Sequence, residues 1–128
     1  MRILIADDHE IIRAGVRAIL NWQNDVEVVE ASNGQEAIEQ ARKTNPDVII
    51  LDVTMPIMTG IEAARRLKSE MPQVPILILS MHEGESMANE LARIGVQGYV
   101  SKNDASVKLP VAIDTVLAGG TFFGAATQ

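Results

Sequence analysis

Five residues of this 128-residue chain belong to types that handle phosphoryl groups: Asp7, Asp8, Asp52, Ser80 and Lys102. Each stands at or just after the end of a short apolar run: ILIA before Asp7-Asp8, VIIL before Asp52, ILIL before Ser80 and GYV shortly before Lys102. Three carboxylates crowded together repel one another, and the arrangement becomes reasonable when a divalent cation shares them. Oxygen donors suit Mg²⁺, which keeps several waters and accepts one or two carboxylates plus a phosphate. A carboxylate beside such a cation can attack phosphorus and form an aspartyl phosphate. A hydroxyl could then donate a hydrogen bond to the new phosphoryl group, and a lysine could neutralise it. Taken singly, each residue has a plainer reading. Asp7-Asp8 could cap a helix, Asp52 and Ser80 could open turns, and Lys102 could be a solvated surface cation. Agreement among separate segments favours the chemical reading. His9 and His82 read as surface residues beside the site, because neither has a partner histidine at ligand spacing.

Convergence of these residues requires a particular scaffold. Strand-like runs at Arg2–Ala6, Val26–Val29, Val48–Leu51, Ile76–Leu79 and Gly98–Val100 alternate with helical patterns. The first helix follows His9 and runs towards Trp22, with Ile12, Val16 and Ile19/Leu20 on one stripe. Asn33 with Glu36, and Thr59 with Glu62, have the form of helix caps with a reciprocal acid. The Thr59 helix ends near Met71-Pro72. Glu85–Ile94 forms a weaker helix closed by Gly95, and Ser106–Ala118 forms the last, with Pro110 near its first turn and Gly119-Gly120 at its end. The methionines read mostly as core or loop filler. Runs that are apolar almost throughout belong to a parallel sheet covered on both faces. The expected fold is therefore α/β: a five-stranded, doubly wound parallel sheet of flavodoxin-like order 2-1-3-4-5 with helices on both faces. In such sheets the site lies beyond the C-terminal strand ends, at the switch point between strands one and three. That edge collects all five candidates.

Composition narrows the function. There is one domain's worth of chain, no cysteine for disulfides or thiolate metal sites, and a net charge of −6. The acidic balance argues against a nucleic-acid surface in this chain. No apolar run approaches the ~18 residues needed to span a bilayer. Only four residues separate Arg2 from the first acid, too few for a signal peptide, so the expectation is a soluble cytoplasmic protein with no membrane partner.

Together Asp7-Asp8, DVTMP around Asp52, Gly60, Ser80, Tyr99 and GYVSK ending at Lys102 resemble the receiver domains of bacterial two-component response regulators, over essentially the whole chain. LSMHEGE and GYVSKNDAS look most like the subfamily that carries a LuxR-type (NarL/FixJ) helix-turn-helix domain. The resemblance implies a receiver over residues 1–120, with 121–128 starting a linker or tail. It implies phosphorylation of Asp52, Mg²⁺ on Asp8, Asp7 and Asp52 with the backbone carbonyl of Thr54, phosphoryl contacts from Ser80 and Lys102, and a switch through Ser80 and Tyr99. It implies a histidine kinase as partner, and a second copy of the chain through the output face or another receiver surface. DNA would be bound through a C-terminal domain outside this sequence. The sequence departs from the family pattern at Ile57 and Thr59, where Gly and Asp are usual, at the bulky Met81, and at Asn103, where proline is common. Two rival readings have distinct signatures. A Mg²⁺-dependent phosphatase with an aspartyl nucleophile would carry an acid two residues after Asp52, where Thr54 stands. A degenerate receiver acting only as a binding module would lack part of the Asp7, Asp8, Asp52, Ser80 and Lys102 set.

Overall fold

Five apolar runs pair side by side in the computed structural model, which describes residues 1–21, 25–81 and 85–123, with the backbone only at 85–87. The strands are β1 (Arg2–Ala6), β2 (Glu27–Ala31), β3 (Val48–Asp52), β4 (Ile76–Ser80) and β5 (Gly98–Ser101). All neighbouring pairs are parallel, in the order β2-β1-β3-β4-β5, as the alternation of runs requires. The helices are α1 (Glu10–Leu20), α2 (Gly34–Thr44), α3 (Gly60–Glu70), α4 (Glu85–Ile94) and α5 (Ala105–Leu117). Trp22, where the first helical stripe runs out, lies outside the described residues, as do His82 and residues 124–128.

Side-chain alternation divides the core into two layers. Ile3, Ile5, Val48, Ile50, Leu77, Leu79 and Val100 face α1 and α5. Leu4, Ala6, Ile49, Leu51, Ile76, Ile78 and Tyr99 face α2, α3 and α4. Each central strand is buried on both faces, which is why β1, β3 and β4 read as nearly unbroken apolar runs.

Several boundaries differ from expectation, each for a local reason. β3, β4 and β5 each run one residue further than expected, to Asp52, Ser80 and Ser101, because the ladder continues through their backbones. The second strand starts and ends later than expected, at Glu27 and Ala31. Pro110 lies inside α5 rather than near its first turn. Asn33 caps α2 by accepting the Glu36 amide at 2.8 Å, but Glu36 returns to the backbone and hydroxyl of Ser32 instead of the Asn33 amide. Thr59 and Glu62 do form the reciprocal box. Beyond α5, Phe122 pairs with Gly98, and its carbonyl accepts the Tyr99 amide at 2.7 Å.

Candidate functional site

The strand register brings three of the five candidates onto one face. Asp7 continues the alternation of Ile3 and Ile5, Asp52 that of Val48 and Ile50, and Lys102 that of Val100, all on the α1/α5 side. Lys102 is aimed inward by the turn that follows β5. Ser101 accepts the Asn103 amide at 3.3 Å, and the chain runs through a short 3₁₀ turn, Lys102–Asp104, into α5. The Lys102 ammonium then lies 3.0 Å from Asp7 Oδ2 and 3.0 Å from Asp52 Oδ1, with its side chain only 10 % exposed. The Lys102–Asn103 peptide is trans.

Asp7 does not cap α1, and neither does Asp8; His9 occupies the N-cap position. Asp7 instead folds its carboxylate back on its own loop, where Oδ1 accepts the His9 amide at 2.9 Å. His9 Nδ1 stands 3.2 Å from Oδ1 of both Asp7 and Asp8. Asp7 is therefore fully buried and engaged at both oxygens, whereas Asp8 is exposed at the mouth of the site. Asp7, Asp8, His9 and Asp52 each place one ligating atom within 4.8 Å of the others. His9 was expected beside the site rather than as a ligand. It does lie there, largely exposed, but close enough to offer a nitrogen to a shared cation.

Burial raises the Asp52 carboxyl above the usual carboxylate range. The hydrogen bond from Lys102 opposes this rise, while Asp7 and then Asp8 add repulsion in the same direction as burial. Burial disfavours charge on Lys102, yet its contacts with Asp52 and Asp7 prevail and hold the ammonium above its ordinary value. The site is thus a concentrated negative pocket with one fixed internal cation. That is the environment a divalent metal and an incoming phosphoryl group would share, and the oxygen-rich donor set fits Mg²⁺.

Ser80 is buried at the end of β4, in register with Ser101, and β4 delivers it beside the loop that follows Asp52. Its alternation places it on the other core layer, with Ile76 and Ile78. Tyr99, paired with Ile78, is buried in that same layer. Thr54 is exposed on the loop just beyond β3. Met81 is exposed and, with Asp8, His9, Ile11, Ile12 and Lys102, lines a cavity of about 640 Å³ at the mouth of the site.

The loop from β3 to α3 carries two of the departures from the family pattern, Ile57 and Thr59. The Met58 amide bonds the Pro56 carbonyl at 2.7 Å across Ile57, whose φ is 71°. This is a γ-turn of the rare, strained hand, held by a β-branched residue. Burial of Met55 and Met58 on either side, the Thr59 cap, and the bond from Gly60 N to Val53 O at 2.9 Å hold it in place. A Cβ at Gly60 would sit 1.9 Å from the Asp52 carbonyl oxygen, so only glycine lets α3 start this close to the acceptor strand.

A profile described as the response regulator receiver domain matches residues 3–114. The chain belongs to the response regulator receiver domain family. The receiver is 40% identical over 124 residues to the oxygen regulatory protein NreC of Staphylococcus aureus (strain JH9), a match that covers 95% of this chain and 57% of NreC. It is 38% identical over 123 residues to the transcriptional regulatory protein DegU of Brevibacillus brevis, covering 95% of this chain and 52% of DegU. The chain therefore spans about half the length of these curated relatives. Among solved structures, a LuxR-family two-component response regulator from Aurantimonas sp. SI85-9A1 superposes with a TM-score of 0.91 at 36% identity, covering 98% of this receiver and 90% of that chain. The LuxR-type resemblance of the sequence is thereby borne out, as is the sheet order. Receiver domains are signalling switches that interact with histidine kinases and generally bind Mg²⁺ in an acidic pocket; here Asp7, Asp8 and Asp52 form an acidic cluster. Among the described residues, no helix is long and apolar enough to cross a membrane.

Proposed function

We propose that this receiver is a phosphorylation-controlled switch whose acceptor is Asp52. The observation that supports this most directly is Lys102, half-buried at the strand ends and 3.0 Å from carboxylate oxygens of both Asp7 and Asp52. A carboxylate oxygen of Asp52 attacks the phosphorus of a kinase phosphohistidine; the P–N bond breaks, the P–O bond forms, and the imidazole leaves. Water later cleaves the acyl phosphate and returns the carboxylate. Mg²⁺ held by Asp8 and Asp52, with Asp7 directly or through water and the Thr54 carbonyl, would stabilise charge on the transferring oxygens. Lys102 exchanges its contact with Asp52 for one with the phosphoryl oxygens, and Ser80 donates to them from β4. Tyr99 responds on the face formed by α4, β5 and α5. The output is control of a DNA-binding domain C-terminal to this chain in a cytoplasmic regulator, with a second copy of the receiver as a further partner; this chain alone does not bind DNA.

Incubation with acetyl phosphate and Mg²⁺ tests the reading. The wild-type chain should take up one base-labile phosphoryl group per molecule, followed by intact mass, and Asp52→Ala should take up none. Steady turnover of a phosphomonoester would instead favour a phosphatase, and full incorporation in Asp52→Ala would reject the acceptor.

A further inference from the structure

The acidic site is tied by hydrogen bonds to a strand that gives it no side chain. β2 lies at the edge of the sheet, on the far side of β1 from Asp52. Asp7 stands one residue past the last β1–β2 pair, Ala6 and Ala31, and its amide still bonds the Ala31 carbonyl at 3.0 Å. The Asp7 carbonyl has passed the end of the ladder and accepts from Nη1 of Arg13 on α1. The same guanidinium gives Nε to Glu30 Oε1 on β2 at 2.9 Å. Arg13 is only 16% exposed at its side chain and Glu30 31%. A planar fork with one donor on each group fixes their separation in a way a lysine cannot. Arg17, one turn further along α1, donates to Oε2 of the same Glu30 and makes no hydrogen bond or ion pair to Asp7. Glu30 is thus held by two arginines, of which one also reaches the metal-site loop.

We propose that Arg13 is a positioning residue of the acidic site, which ties the backbone of Asp7 to β2 through Glu30 and so sets where the Asp7 and Asp8 carboxylates stand. The inference rests on the reading of this site as a Mg²⁺ site. Groups that orient ligands without touching the metal commonly control affinity by about 10–100-fold. Arg13 acts at the carbonyl between the two acids, so its loss lets the Asp7-Asp8 peptide turn and moves both carboxylates together.

Mg²⁺ titration of the full chain by NMR, with a melting curve for each variant, tests this. Arg13→Met should weaken Mg²⁺ binding by about tenfold or more. Arg17→Met removes the other half of the Glu30 pair and should lower the Tm by a similar amount while leaving Mg²⁺ affinity within about twofold of wild type. Unchanged affinity in Arg13→Met overturns the proposal. An equal loss in Arg17→Met also overturns it, since general loosening of α1 on β2 would then suffice. Should Arg13→Met fail to fold, Arg13→Lys takes its place, with the same loss expected because an ammonium on a flexible stem lacks the rigid fork that holds the two oxygens at one separation. Hydrogen exchange of the Asp7 amide, measured without metal, separates failure of the Mg²⁺ reading from failure of the clamp. Exchange should speed up at least tenfold in the Arg13 variant and stay near wild type in Arg17→Met, whether or not the wild-type site binds Mg²⁺.

Discussion

Asp52 is buried beside two further acids and a single lysine, and its charge is held there at a cost to the fold. Its carboxyl lies above the usual range in the native state, chiefly through burial, and the ordinary value is 3.8. A raised native value means that the unfolded state releases this proton more readily. The associated stability is therefore complete below the unfolded value and is lost as pH rises through the native one. Asparagine has nearly the same shape and does not titrate. Asp52→Asn should accordingly be more stable than wild type near neutral pH without divalent ions, and Lys102 would keep its Asp7 contact at 3.0 Å. The advantage should shrink as pH falls from about 7 towards about 4, and added Mg²⁺ should reduce it by stabilising the wild type. Urea titrations across that range check this; an advantage independent of pH would place its origin outside the Asp52 charge.

At the scale of elements, the segment linking β3 to α3 is held by its ends against its own backbone preference. Two buried methionines, the Thr59 cap and the Gly60 contact fix it, while Ile57 between them sits at φ 71° and 83% exposed. Ile57→Gly removes the steric cost of this φ and gives up almost no buried surface, though glycine adds freedom to the unfolded chain. The net expectation is a gain of about 1 kcal/mol in urea unfolding; a loss of stability would mean that the Ile57 side chain contributes packing. The sequence carried the frame of this molecule well and its loops less well. Parallel strands buried on both faces announce themselves as apolar runs, and the α4 bounds, Glu85–Ile94, match the expected ones although its helical pattern is the weaker one. The last residues of β3, β4 and β5 are less legible, because Asp52, Ser80 and Ser101 are polar and only neighbouring strands decide that the ladder includes them. Asp7, Asp8, Asp52 and Lys102 could be grouped because topology alone brings strand ends together. The Arg13–Glu30 pair could not, since it depends on which face of α1 meets β2. The left-handed Ile57 was hidden because its own residue type opposes it.

Over the whole molecule, the sheet separates the proposed chemistry from the proposed output. Asp52 and Lys102 alternate onto the α1/α5 layer, whereas Tyr99 lies in the layer of α2, α3 and α4, with Leu91 and Val96. Ser80 stands at the end of β4 on the Tyr99 side, beside the strand that ends in Asp52. In the proposed switch, a signal starting at Asp52 would pass round the strand ends by way of Ser80. Tyr99 is already buried in the unmodified chain, so phosphorylation would act by changing the relative weights of two packings rather than by creating a new one. A phosphoryl group on Asp52 favours whichever packing lets the Ser80 hydroxyl donate to it. Ser80→Ala removes the donor and leaves the acceptor carboxylate. Beryllofluoride, which stands in for the phosphoryl group, should still bind the variant. The NMR shifts it induces at Tyr99 and at residues 88–94 should fall to less than about half of those in wild type, because the adduct no longer distinguishes the two packings. Undiminished shifts at those positions would mean that the signal bypasses Ser80, leaving the backbone of the β3–α3 loop as its route.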